Sequence, residues 1–169
     1  MSALWRNEGA VLAAMTATDI DAVVAIEIAV YPFPWTRGNF IDSLAAGYIA
    51  QLLRASAGAE RLLGYFVAMA AADETHLLNI TVTPAQQRQG HARFMMSELV
   101  ARCRRSGSRR LWLEVRESNA AARHAYARLG FREMGIRPGY YPAPRATREG
   151  AVVMSLDLGV DRSAGDALD

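Results

Sequence analysis

The run from His76 to Arg105 constrains the fold of this chain more than any other. "HLLNITV" is apolar, rich in β-forming residues and stopped by Pro84, whereas "HARFMMSELVARCRR" carries Phe94, Met95, Leu99, Val100 and Cys103 at helical spacing and closes near Gly107. Between them stand Gln86, Gln87, Arg88, Gln89 and Gly90. A strand that turns straight into a long helix requires an α/β architecture, with the helix packed back on a sheet. It also makes an anion site, because first-turn amides have no intrahelical acceptor and the helix dipole adds partial positive charge. Gly90 leaves the backbone open to a phosphate, and Arg88 with the glutamines adds donors, so the turn reads as a diphosphate cradle. It is neither a Walker loop nor a three-glycine dinucleotide fingerprint. On local sequence alone, an ordinary polar turn ahead of a helix fits it equally well.

The flanking segments alternate in the same way. "AVLAAMT" (Ala10–Thr16) reads as a strand, and a helix follows from Asp19 to about Val30, with Thr18 at the N-cap and Ile20, Val23, Val24 and Ile28 at helical spacing. Two prolines in "YPFPWTRGNF" end that helix, and Thr36 caps a second through about Ala46. Tyr48–Arg54 and Arg61–Ala71 form a hairpin across "SAGAE", with His76–Val82 as the next strand. Beyond the long helix, "RLWLEV" is a short buried strand and "NAAARHAYARLG" a helix starting at Asn119 and stopping at Gly130. Strands lie near Phe131–Met134 and Ala151–Leu158. The order β α α β β β α β α β β, over 169 residues of 51% apolar composition, predicts one α/β domain spanning 1–158. The polar "GVDRSAGDALD" (159–169) is expected to be a disordered tail.

Charge excludes some functions. Nineteen basic and 17 acidic residues give a net charge of +2, so bulk attraction to nucleic acid is not indicated. Every basic side chain is arginine, a rigid fork suited to phosphate or carboxylate. A lone Cys103 offers no internal disulfide and fits a reducing cytoplasm. The apolar stretch Gly9–Val30 is broken by Thr16, Thr18, Asp19, Asp21 and Glu27, and the N-terminus lacks an export signal, so neither membrane nor secretion is expected. His76, His91 and His124 are too scattered for a recognisable metal site.

"QRQGHA", as Gln87-x-x-Gly90-x-Ala92, resembles the acetyl-CoA signature Q/R-x-x-G-x-G/A of the GCN5-related N-acetyltransferases, and the element order matches that fold. "PFPWT", "NITVTPAQQRQG", "LWLEVRESNAAARHAYARLGF" and "GYYP" extend the resemblance to that family's bacterial ribosomal-protein-alanine branch. The resemblance implies a mixed, splayed sheet flanked by helices and acetyl-CoA as cosubstrate, with no metal. It implies a ribosomal-protein N-terminus as acceptor. It also implies a diphosphate held by the amides of Gln87, Arg88, Gln89, Gly90, His91 and Ala92, with the pantetheine arm along Ile80, Thr81 and Val82. The free signature position, His91, otherwise reads as an exposed cap-region histidine.

Acetyl transfer to an amine needs a base, an oxyanion stabiliser and a proton for the departing thiolate. In "LWLEV", alternation puts Leu111, Leu113 and Val115 on one side and Trp112 with Glu114 on the other, a carboxylate among apolar neighbours. From the residue alone, Glu114 reads more readily as a surface partner of Arg116 or Arg110; the resemblance implies that it is the proton acceptor. Asn119 and Tyr126, seven residues apart, share a helix face. Tyr126 reads either as a packed core tyrosine or, as the resemblance implies, the proton donor, with Asn119 bonding a pantetheine amide. Tyr31, Phe33 and Trp35, with Tyr140 and Tyr141, are placed by resemblance near the acceptor groove; the other reading for each is a loop anchor in the core. The cluster Arg102–Arg110 is read as the solvated end of a helix, with RNA contact as its alternative. Rival functions are the same chemistry on a lysine, another N-terminus or a small amine, and a CoA-binding sensor without turnover.

Overall fold

The computed structural model describes residues 9–56 and 61–159, so most of the expected tail and of the "SAGAE" turn lies outside the described residues. Seven strands form one sheet in the order β1-β2-β3-β4-β5-β7-β6. They are β1 (Ala10–Ala14), β2 (Ile49–Ala55), β3 (Leu62–Ala71), β4 (Glu74–Val82), β5 (Arg110–Arg116), β6 (Arg132–Ala143) and β7 (Thr147–Asp157). Four α-helices, α1 (Ile20–Val30), α2 (Arg37–Ala45), α3 (His91–Arg105) and α4 (Ala120–Arg128), interleave with them in the order read from the sequence. Every neighbouring pair is antiparallel except β4–β5.

Two local readings are corrected. The first helix is entered through a one-turn 3-10 segment, Ala17–Asp19, capped by Thr16 and Asp19 as a reciprocal capping box, not by Thr18. The Thr18 hydroxyl instead lies 2.8 Å from that of Thr16. The Asp19 carboxylate also accepts from Arg54 at 2.6 Å, which ties the start of α1 to β2. Thr36 caps α2 as expected, accepting from the Asn39 amide. The last two strands run to 12 and 11 residues, and "RPGYYP", read as a loop, lies inside β6. Its pairing with β7 jumps from Arg137–Ala151 to Tyr141–Glu149, a bulge that absorbs Pro138 and Gly139. β6 is an edge strand, where a missing proline donor does least harm.

The sheet separates two cores. On one face, α3 packs Met95, Met96, Leu99 and Cys103 over Leu77, Leu111, Leu113 and Val115. On the other, α1 and α2 pack Ile20, Val23 and Phe40 over Leu52, Tyr65 and Val67. The helical phase of α1 differs from the one expected: Ile28 is 62% exposed, and the residue buried in its place is Glu27, at 2%. A carboxylate taken out of water needs donors. Glu27 has three: the Tyr65 hydroxyl and the Asn79 amide (3.1 Å) on one oxygen, and the Trp35 backbone N–H (2.9 Å) on the other. The chain of bonds continues from Thr81 to Asn79 and between Tyr31 and Thr81.

The sheet opens between β4 and β5. They pair only from Glu74–Arg110 to Leu77–Leu113, after which β4 keeps β3 alone and β5 keeps β7 alone. The cause is local. Val67 faces Asn79 and Ala68 faces Leu77, so Leu78 is an extra residue in β4, immediately past the last β4–β5 pair. A bulge there bends and twists β4 away from its parallel neighbour. We expect Glu27→Ala to lower unfolding free energy by about 3 kcal/mol or more, since three buried donors lose their acceptor; urea denaturation measures it.

Candidate active site

The cleft that opens between the diverging strands has a volume of about 680 Å³. Ile80, Thr81 and Val82 line one wall, Ala125 and Tyr126 of α4 with its C-cap Leu129 the other, and the turn into α3 closes one end.

That turn is built from backbone. Gln87 Nε2 donates to the Val82 carbonyl (3.2 Å) and Gln89 Nε2 to the Ala85 carbonyl (3.4 Å). The side chains of Gln87 and Gln89 thus brace the loop; Gln86 and Gln87 line the cleft and Gln89 lies outside its lining. Arg88 (φ +66°) and Gly90 (φ +84°) are both left-handed. A non-glycine residue holding that conformation costs about 1–2 kcal/mol, an outlier of the kind found where backbone is aimed at a ligand. α3 starts at His91 with no side-chain cap on its first amides. Gly90, His91, Ala92 and Arg93 all line the cleft, and a Cβ on Gly90 would meet open space. The result is a concave set of amides at a helix N-terminus, fit for the phosphates of an acyl-CoA. His91 is buried, not exposed as its cap position suggested, and burial with Arg61 nearby holds its pKa below the usual imidazole range.

Tyr126 packs against Phe131 (ring centroids 5.7 Å apart) and faces the cleft. Burial, and secondarily Tyr31, pushes its phenol up to about 12, so it is fully protonated at neutral pH. Across the cleft, the Tyr31 hydroxyl is 3.0 Å from Thr81 Oγ1 and donates to the Ile80 carbonyl at 3.3 Å. Tyr31 thus belongs to the cleft wall and to the network on Glu27. Asn119 is not beside Tyr126 on the helix: it precedes α4 as its N-cap, accepting from the Ala122 amide at 3.1 Å, and lies outside the cleft lining.

Glu114 is the first β5 residue beyond the last β4–β5 pair, at the vertex of the opening. Leu113 points into the α3 core, so Glu114 points to the α1 face, while Tyr126 packs against the α3 core. The two groups approach the gap from opposite faces of the sheet. The neighbours of Glu114 are not the apolar ones expected, nor Arg116 or Arg110. Its side chain is 6% exposed, with Oε2 2.5 Å from His76 Nε2 and Oε1 3.6 Å from Arg137. The Tyr141 hydroxyl donates to its backbone carbonyl at 3.1 Å. Sequence reading placed His76 only in a strand; parallel pairing of His76 with Trp112 is what brings it to Glu114.

Arg116, two residues on, lies between aromatic rings, 5.7 Å from Phe33 and 4.5 Å from Tyr141. It is held there by Glu149 (3.1 Å) and the Pro142 carbonyl (2.9 Å). Tyr140 meets Tyr141 edge-on at 4.9 Å. Phe33, Tyr140 and Tyr141 thus form a partly exposed aromatic rim on the face where Glu114 emerges. Trp35 does not join it: its ring packs on Phe40 (5.3 Å) and its N–H reaches Glu27, so it anchors the loop from beneath. The last turn of α3 carries Arg102, Arg104 and Arg105, where cations suit the helix dipole, and Arg104 donates to the Leu158 carbonyl. Among the described residues, no group of three or more His, Cys, Asp or Glu is placed to hold a metal, and no helix is long and apolar enough to cross a membrane.

A split sheet with an amide cradle at one end of the cleft and a protonated tyrosine at its side is the architecture of an acyl-CoA-dependent acetyltransferase. The family model for the acetyltransferase (GNAT) family matches residues 4–131, and the chain belongs to that family. It is similar to the [ribosomal protein bS18]-alanine N-acetyltransferase of Escherichia coli K12, 35% identical over 147 residues, or 87% of this chain and 97% of that one. The protein of the same name from Haemophilus ducreyi is 34% identical over 140 residues, 83% of this chain and 94% of the relative. The crystal structure of the ribosomal-protein-S18-alanine N-acetyltransferase from Escherichia coli superposes with a TM-score of 0.82, at 34% identity, over 95% of this chain and 99% of that one. Arabidopsis thaliana Naa50, solved with the bisubstrate analogue CoA-Ac-MVNAL, shares the fold at 14% identity, with a TM-score of 0.75 over 88% of this chain.

Two outcomes follow from this geometry. Gly90→Val is expected to weaken acetyl-CoA binding about 10-fold by calorimetry, the equivalent of the ~1–2 kcal/mol a side chain adds to a left-handed residue. Tyr31, Tyr65, Tyr126 and Tyr141 all have pKa values raised chiefly by burial. A raised folded-state pKa favours the folded protein below the ordinary tyrosine pKa of about 10 and loses that effect as pH rises through the folded value. The urea midpoint should therefore fall as pH is taken from 9 to 12, with phenolate absorbance of these four residues appearing late, together with unfolding.

Proposed function

We propose that this chain is an acetyl-CoA-dependent N-acetyltransferase that acetylates the N-terminal alanine of ribosomal protein bS18 by direct transfer. The observation that carries the reading is one cleft lined by the amide cradle and Tyr126, with Glu114 at the vertex of the β4–β5 opening, outside that lining. The acceptor is inferred from relatives that carry this name at about one-third identity over nearly their whole length.

In this reading the diphosphate sits on the backbone of residues 87–92. The pantetheine amides pair with the edge of β4 at Ile80–Val82, which has lost its β5 partner and is open to an added strand-like ligand. The acceptor chain enters over Phe33, Tyr140 and Tyr141. The neutral amine attacks the thioester carbon, a backbone N–H of β4 stabilises the oxyanion, and the C–S bond breaks. Glu114 takes one proton from the attacking nitrogen through water, and Tyr126 gives one to the thiolate, so acid and base are restored by exchange with solvent. Neither step needs a covalent enzyme intermediate, and Cys103 is buried within the α3 core. A ribosomal acceptor puts the reaction in the cytoplasm.

Mass spectrometry of bS18 incubated with enzyme and acetyl-CoA should show one acetyl group, on the α-amine of the first alanine. Peptides beginning with alanine should react at least 10-fold faster than peptides offering only a lysine amine; equal rates would remove the N-terminal assignment. Glu114→Gln and Tyr126→Phe are each expected to lower kcat by about 100-fold with acetyl-CoA affinity nearly unchanged.

A further inference from the structure

The carboxylate of Glu114 is held asymmetrically. Oε2 is 2.5 Å from His76 Nε2, whereas Oε1 is fully buried and makes no hydrogen bond. An ionised carboxylate has no proton of its own, so the short contact requires Nε2–H on His76, donating to Oε2. The charged and titratable groups facing Glu114 come from two strands. His76 lies on β4; on β6, Arg137 stands 3.6 Å from Oε1 and the Tyr141 hydroxyl reaches the backbone carbonyl. On β7, the residue directly across is Val153.

The guanidinium is not hydrogen-bonded to Oε1 and its side chain is 55% exposed, whereas His76 is 25% exposed and fixed on the last paired rungs of β4 and β5. Two donors therefore flank one carboxylate: the histidine in a short contact at 2.5 Å, the guanidinium only in a longer ion pair at 3.6 Å. Without it, the carboxylate has one remaining cation to turn to. Closing the 3.6 Å ion pair with Arg137 into a direct bond would turn the carboxylate away from its present orientation.

We propose that His76 is a positioning residue for Glu114: by holding Oε2, it fixes the orientation of the carboxylate and keeps it from closing fully onto Arg137. The proposal rests on Glu114 being the proton acceptor. It concerns the donor on the imidazole, not its bulk, and this separates it from a packing role.

The test is steady-state kinetics on the alanine-initiated bS18 peptide with four variants. His76→Gln places an amide N–H at similar reach and is expected to keep kcat within about threefold. His76→Leu fills the space without a donor, and His76→Asn has a donor too short to reach. Both are expected to lower kcat about 10- to 100-fold, the scale of a misplaced catalytic group, with KM for acetyl-CoA unchanged. Adding Arg137→Ala to His76→Leu should recover part of that loss, because the competing cation is gone. Wild-type kcat in His76→Leu, or equal losses in the Gln and Leu variants, overturns the proposal. Glu114→Gln, assayed alongside, separates the two ideas: a normal rate there removes Glu114 as the base, whereas a large loss there with a normal His76→Leu removes only the role of His76.

Discussion

Everything functional in this molecule depends on two parallel strands ceasing to pair after four residues. β4 and β5 are hydrogen-bonded from Glu74 to Leu77 and from Arg110 to Leu113, and the extra residue Leu78 then turns β4 aside. Had pairing continued, Ile80–Val82 would be interior ladder and the backbone of β4 would have no edge to offer. Instead a cleft of about 680 Å³ opens beside Ile80–Val82, with the turn into α3 at one end and Tyr126 at its side. Divergence costs several ladder hydrogen bonds, and an unpaired buried backbone group is unfavourable until a ligand meets it. The open strand edge is thus one source of affinity for an amide-bearing arm.

The open side of the sheet is stiffened by an unusual core. Glu27 is a carboxylate where an apolar residue would ordinarily pack, and its bonds to Tyr65, Asn79 and the Trp35 backbone tie α1, β3, β4 and the α1–α2 loop together. Through Asn79 and Thr81 the same network reaches Tyr31 at the cleft wall. Directional bonds of this kind fix the relative placement of strands that no longer hold one another. A greasy residue at 27 would bury as well but would specify less.

Much of the fold was legible from residue pattern: the element order, the Thr36 cap, the glycine turn into α3 and the alternation of β5 all follow from local preferences. The errors have a common origin. Thr18 has an acidic residue, Asp21, at capping-box spacing, but so has Thr16, and the capping box that forms uses Thr16 and Asp19. Ile28 was placed on the buried stripe because it is apolar, although Glu27 is at i+7 from Ile20 and i+4 from Val23, the phase that α1 buries. Pro138 and Gly139 are residues that usually punctuate chains, but pairing with β7 and an edge position keep "RPGYYP" in a strand. In each case a tertiary partner outweighed a local preference.

The sequence by itself determined the alternation of strands and helices, the donor-rich glycine turn, and the inward and outward faces of β5. Those depend on periods of two and 3.6 and on steric preferences of single residues, which act over short distances along the chain. Tertiary structure alone decided that β4 and β5 part at Leu77, that Gln87 and Gln89 brace the turn, that Asn119 caps α4 outside the cleft lining, and that His76, 38 residues away, sits against Glu114. Strand pairing and register bring these groups together, and neither is encoded by any contiguous stretch of residues.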